Sequence, residues 1–313
     1  MPIRYFWIFF CFFNIFPLSA CGSERSEQVS QYVDLNYLEP LPAPAEEKIR
    51  PLKVAVAAVI SPQGSAESYA PLLEYISREL GRPVERVQRR TYSEVNELIR
   101  TGEVDLAFVC TSSYLVGERQ FGMQLLAAPQ VNGEAVYYAA IIVPAESPVR
   151  DLSDLRGRVF AFTDPISFTG RMYPTYLLQE EGETPENFFE RTFFTYSHDD
   201  AIYAIANAIA DGASVDKLVL DFAIKRDPEL ADKIRVIHIS PPFGIPPVVV
   251  GPQIRPQLYA TLQEILLTMH LNPEGQAALE ALDYDRFVQI RDMDYTTAKA
   301  IEVAVQCCIP TQP

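Results

Sequence analysis

Apolar residues fall along this chain in blocks, and the period changes from block to block. Residues 52–60 (LKVAVAAVI) are almost continuously apolar, as in a strand buried on both faces of a parallel sheet. Residues 68–80 switch to a helical period. Tyr69, Leu72, Leu73, Ile76 and Leu80 share one side, and Gly81 provides the stop. A strand over 84–87 follows, then a helix capped by Ser93, with Val95, Leu98 and Ile99 inward and Gly102 at its end. Residues 104–110 (VDLAFVC) predict a third strand, and a further helix begins near Ser112 or Ser113. Residues 137–143 (YYAAIIV) predict a longer strand, closed by Pro144.

The alternation then resumes. It gives a short helix over 151–155, a strand over 159–162, a helix over 169–181, and strands near 192–195, 213–215 and 234–239. Helices over 199–208 and 217–226 separate these strands. Residues 246–250 (PPVVV) lead back, and helices near 255–270 and 273–281 finish the chain. Strands alternating with helices imply an α/β fold with doubly wound sheets. The segments 137–143 and 246–250 are expected to cross between two lobes, the first from 51–140 plus 247–313 and the second from 141–246. Two such strands make a hinge, and the ligand of a hinged α/β pair is expected off the carboxyl ends of the strands.

The N-terminus carries a different pattern. Arg4 precedes an apolar run to Phe16, too short for a membrane span of about 20 residues and fitting a secretory signal peptide over 1–20. Leu18-Ser19-Ala20-Cys21 resembles the bacterial lipobox, which implies cleavage before Cys21 and lipidation of that residue. A plain secretory signal with an incidental cysteine is the alternative. Residues 21–50 are polar and proline-rich, and read as a solvated tether. Cys307 and Cys308 are adjacent and leave open a bridge or free thiols, while Cys110 ends an apolar strand and reads as a buried small residue. The cysteine spacing fits no metal site.

A net charge of −15 argues against nucleic acid as a partner and against general attraction of anions. An anion site in this chain must therefore use local donors in a shielded cleft. Residues 164–170 (DPISFTG) offer one. They join an apolar strand to a helical pattern, so the unbonded N–H groups of a helix start lie beside the hydroxyls of Ser167 and Thr169. The same strand-end position is taken by Tyr92, Ser112, Tyr137, His198 and Asp216. Each has an ordinary alternative: helix capping for Ser112, aliphatic packing for the tyrosines, a helix start for Asp216, a loop hydrogen bond for His198. Their shared placement is the argument.

With those residues in view, the chain resembles the phosphate/phosphite/phosphonate-binding proteins of bacterial ABC importers. The resemblance rests on residues 69–84 (YAPLLEYISRELGRPV), 92–110 (YSEVNELIRTGEVDLAFVC), 164–170, 197–216 and 237–250 (IHISPPFGIPPVVV). The family's loop reads Asp-Pro-x-Ser-Thr-Ser-Gly, with a histidine about thirty residues on. Here it stands as Asp164, Pro165, Ser167, Phe168, Thr169 and Gly170, then His198. The resemblance implies a type II periplasmic-binding fold, no cofactor, and ligand oxygens held by Ser167, Thr169, the amides there, His198, Tyr92 and Tyr137. Phe168 departs from the pattern and removes one side-chain donor. Asp216 either accepts a proton-bearing oxygen or repels a full dianion. The segment 240–246 (SPPFGIP) has no carboxylate for an ammonium group, which favours phosphate, phosphite or a simple alkylphosphonate.

The implied protein is a monomeric solute receptor, periplasmic or at the cell surface and lipid-anchored, that closes on a small oxyanion and serves an ABC permease. A ligand sensor docking a membrane signalling protein is the second reading. An enzyme is the third, and no G-x-S-x-G, H-E-x-x-H or P-loop signature supports it.

Overall fold

The computed structural model describes residues 50–307. The expected signal peptide, Cys21, the tether up to residue 49 and Cys308 lie outside the described residues, as does the side chain of Cys307. The strands are β1 (Leu52–Val56), β2 (Val84–Gln88), β3 (Leu106–Phe108), β4 (Gln124–Gln130), β5 (Val136–Tyr137), β6 (Ala139–Pro144) and β7 (Val159–Phe162). They continue as β8 (Arg191–Phe194), β9 (Gly212–Asp216), β10 (Ile234–Ile239), β11 (Phe243–Gly244), β12 (Val248–Val250) and β13 (Arg286–Val288).

One sheet has the order β13-β4-β12-β3-β1-β2 and a second β10-β6-β9-β7-β8. Between them the chain crosses twice, and the crossings pair antiparallel as β5 and β11, with Tyr137 opposite Phe243. The sheets are doubly covered, which explains the continuous apolar runs. Leu52, Val54 and Val56 of β1 enter one apolar cluster while Ala55 enters another. Likewise Ile141 and Val143 of β6 face one side of the second sheet, and Ala140 and Ile142 the other.

Several boundaries differ from the expectation. The strand expected over 52–60 ends at Val56, which leaves Ala57 to Ile60 as a loop at the carboxyl edge. Thr91, not Ser93, caps the next helix (Tyr92–Thr101), in a capping box. Its Oγ1 accepts the Glu94 N–H at 3.2 Å, and Glu94 Oε2 accepts the Thr91 N–H at 2.9 Å. This moves Tyr92 from a loop to the first helical turn. Strand β4 was missed because Pro129 weakens the pattern. The proline lies beyond residues 124–127, which pair with β12, and stands opposite Phe287 of the short edge strand β13. A helix over Thr296–Cys307 extends the chain past the two helices expected to finish it. It buries Ala298, Ile301 and Val305, and its buried Glu302 meets Arg119 through two 3.0 Å hydrogen bonds.

Candidate functional site

The loop after β7 is held from both ends. The Asp164 carboxylate accepts the Ile166 N–H at 2.9 Å and, from the opposite sheet's side, the Tyr92 N–H at 3.0 Å. Burial raises the Asp164 pKa, and these two amides hold it partly back. Ser167 then caps the following helix, its Oγ accepting the Gly170 N–H at 3.1 Å. The helix expected over 169–181 opens instead as a π-helical turn (Phe168–Met172), with the Met172 N–H reaching the Ser167 carbonyl at 3.0 Å, before an α-helix over Tyr173–Glu180. A Cβ at residue 170 would fall on the Thr163 side chain, so this position must be glycine. The leading amides of the turn, at Phe168 and Thr169, lack acceptors within the helix itself; that of Phe168 is turned to the Cys110 thiol, which leaves the Thr169 amide without a helical acceptor.

His198 begins the helix His198–Ala206. Its Nδ1 accepts the Asp216 N–H at 2.9 Å. The neutral ring therefore carries its hydrogen on Nε2, which lies 3.5 Å from Ser167 Oγ. Burial lowers the His198 pKa to about 3, so the folded protein keeps the ring neutral at pH 7. Asp216 ends β9 and caps the helix Lys217–Arg226, accepting the Leu218 N–H at 2.8 Å. Burial is the largest influence on its carboxyl. The Leu218 and Val219 amides and the Asp221 charge modify it, and the pKa is raised to about 7.

Three of the expected residues share an unusual property. The hydroxyls of Tyr92, Tyr137 and Thr169 are buried without a hydrogen-bond partner. Ser167 lies near enough to the Tyr92 hydroxyl to hold its pKa back slightly, and Thr111 does the same for Tyr137, but neither pair meets hydrogen-bond geometry. Burial pushes both phenols well above their ordinary value, with the Cys110 and Asp216 charges adding to the rise. A buried hydroxyl left unpaired costs about 1–3 kcal/mol, so a cluster of them is a feature that needs a reason.

Ser112 and Phe168 are placed differently from the rest. The Ser112 hydroxyl donates to the Ile166 carbonyl, and so ties the start of the helix Thr111–Phe121 to the loop after β7. The Phe168 ring turns away into the apolar layer at the crossings, edge-on to Phe243 at 4.8 Å. Its N–H and that of Ser112 face the buried Cys110 thiol, whose pKa burial raises. Sequence reasoning missed Thr163, whose hydroxyl is also buried and unpartnered beside Gly170. It also missed Tyr196, which takes a left-handed φ of 65° just before Ser197 and stacks under Arg90 at 4.1 Å. No pattern of hydrophobicity encodes either feature. Among the described residues no group of three or more His, Cys, Asp or Glu is arranged to hold a metal ion, and no helix is long and apolar enough to cross a membrane.

Residues 54–295 match the family described as ABC transporter, phosphonate, periplasmic substrate-binding protein. The chain is 25% identical over 257 residues to the phosphonates-binding periplasmic protein of Escherichia coli K12, covering 80% of this chain and 76% of that one. It is 32% identical over 188 residues to the phosphate-import protein PhnD of Mycolicibacterium smegmatis, covering 55% of this chain and 59% of that one. The solved structure of PhnD1 from Prochlorococcus marinus, in complex with methylphosphonate, superposes with a TM-score of 0.74 at 18% identity, covering 82% of this chain and 98% of that one. The fold is thus the two-lobed type II periplasmic-binding arrangement, with β5 and β11 as the crossings. This chain belongs to the phosphonate-family periplasmic substrate-binding proteins of ABC transporters, a family of transport receptors.

Proposed function

We propose that this protein captures a small phosphorus oxyanion outside the cytoplasm, without turning it over, and hands it to an ABC permease. The observation that carries this reading is the set of buried, unpartnered hydroxyls of Tyr92, Tyr137 and Thr169 around a helix start, with the His198 Nε2–H alongside. All are donors, and none carries a charge. Together with Ser167 and the Thr169 amide they suit a tetrahedral oxyanion. Each hydrogen bond to a charged group is worth about 1.5–3 kcal/mol, and the helix end adds up to ~2 kcal/mol in a partly buried site. A handful of such contacts supports micromolar binding or better after association costs. Phosphonate, phosphite and phosphate all fit that donor set.

Capture proceeds by closure of one lobe (51–140 plus 247–313) on the other (141–246), flexing at the crossings. Bonds across the cleft favour the closed state: Asp164 with the Tyr92 N–H, Ser112 with the Ile166 carbonyl, and the His198 N–H with the Val59 carbonyl at 2.9 Å. The protein works as a monomer, held at the membrane by a lipid on Cys21 and a tether that lets it reach the permease. A thermal-shift panel of phosphate, phosphite, methylphosphonate and 2-aminoethylphosphonate tests the reading, since a ligand that binds only the folded state raises the melting point. No shift with any of them, at millimolar concentration, refutes it.

A further inference from the structure

A cation and an aromatic ring meet across the cleft on the side opposite the hinge. The strands that lead into and out of the crossings, β4 and β12 in one sheet and β6 and β10 in the other, lie at one end of each strand order, and β2 and β8 are the outermost strands at the other end. The residues that follow β2 and β8 therefore stand at the mouth of the cleft. Arg90 follows β2, two residues before Tyr92, and Tyr196 follows β8, two residues before His198. The Arg90 guanidinium lies 4.1 Å from the centre of the Tyr196 ring, so the two lobes touch there. Arg78, Arg100 and Arg226 each hold a glutamate, whereas Arg90 has no carboxylate partner among the described residues. The left-handed φ of 65° at Tyr196 is a genuine outlier for an aromatic residue, and strain of this kind clusters at ligand clamps. It is pinned from the binding-loop side. The Tyr196 N–H donates to the Thr163 carbonyl at 2.6 Å, and the Thr163 side chain lies against Gly170.

We infer that Arg90 and Tyr196 are positioning residues that clasp the mouth of the cleft in the closed state and slow release of the bound oxyanion. The inference rests on the donor set around Ser167 (the cradle) being the ligand site, and adds the contact that keeps a ligand there. The pair joins one lobe to the other, so it stabilises neither lobe by itself. Opening the cleft breaks the stack, and its free energy therefore favours only the closed state and is felt in the off rate. The ring face holds the guanidinium, and the phenol hydroxyl is not needed for that. Arginine suits the place because its weakly hydrated plane stacks on a ring and its charge does not repel an oxyanion.

Isothermal titration and phosphorus-31 exchange measurements on the full protein test this, with the tightest binder among phosphate, phosphite, methylphosphonate and 2-aminoethylphosphonate as the probe. An exposed cation–π contact corresponds to about two- to fivefold in an equilibrium constant. Tyr196→Asn removes the ring but tolerates the left-handed φ, and should weaken binding by about that factor through a faster off rate. Arg90→Gln should do the same, and Tyr196→Phe should bind as wild type. The double variant Arg90→Gln/Tyr196→Asn should bind no worse than the weaker of the two single variants, because one contact is lost only once. Losses that multiply in the double variant overturn the inference. Single variants that bind like wild type also overturn it, and if their denaturation midpoints fall the pair only supports the fold. Should Tyr196→Asn fail to fold, the exposed Arg90 decides alone, and unchanged affinity in Arg90→Gln overturns the inference. Each of these results leaves the cradle reading intact. Absence of binding by all four compounds in the wild type overturns both.

Discussion

Replacing His198 by asparagine isolates a single proton. In the folded protein Nδ1 accepts the Asp216 N–H, so the only ring hydrogen is on Nε2, 3.5 Å from Ser167 Oγ. An asparagine Oδ1 takes roughly the place of Nδ1. It keeps the bond to Asp216 and deletes the donor aimed at the cradle. Glutamine does the reverse, because its amide reaches the Nε2 position and leaves the Asp216 N–H unpaired. A hydrogen bond to a charged group is worth about 1.5–3 kcal/mol. His198→Asn should therefore weaken methylphosphonate binding roughly ten- to hundredfold at pH 7. His198→Gln should keep most of the affinity and lose about 1–3 kcal/mol of stability through the orphaned amide.

Stability against pH supplies a third readout. His198 has a folded pKa below its unfolded value, so its contribution is present above pH 6.5 and is lost as pH falls toward about 3. Asp216 has a folded pKa above its unfolded value. Its contribution is full below pH 3.8 and is lost as pH rises through about 7. The windows overlap and the slopes oppose, each worth on the order of 4 kcal/mol at full extent. His198→Asn removes one slope, so stability relative to wild type should fall as pH rises from 4 to 7. Calorimetric titration and urea denaturation across that range measure all three effects. If the asparagine variant binds within twofold of wild type while the glutamine variant binds worse, the imidazole is only a prop for Asp216 and the donor role is refuted.

Other outcomes follow from the same geometry. Tyr92→Phe and Thr169→Val each delete a buried unpartnered hydroxyl, so the unliganded protein should be as stable as wild type or about 1 kcal/mol more stable, while oxyanion affinity drops about tenfold or more. Unchanged affinity by calorimetry in both would remove these groups from the site. Asp216→Asn should leave the His198 slope alone, with stability relative to wild type falling as pH drops from 6.5 toward 4. A difference curve that is flat over that range would contradict the buried-carboxyl account. Gly170→Ala forces a Cβ onto the Thr163 side chain and should cost about 1–3 kcal/mol. Recovery in the double variant Gly170→Ala/Thr163→Ser, measured by denaturant midpoint, is not expected, because the hydroxyl that obstructs the Cβ is retained.

The order of strands and helices was legible in the sequence because each block's period reports which faces are buried. The helix Lys217–Arg226 and strands β7 and β10 lie where the pattern puts them. The strand-turn-helix form of residues 164–170 was legible for the same local reason: a strand end and a hydroxyl cap are neighbours in the chain. Contacts distant in sequence were not. The tautomer of His198 depends on an amide eighteen residues away, and the diversion of Ser112 onto Ile166 crosses fifty-four. The orphan state of the tyrosine hydroxyls exists only once two sheets close over them. Local propensity is set by neighbouring residues, whereas desolvation and hydrogen-bond satisfaction depend on everything within a few ångströms, which only the folded chain brings together.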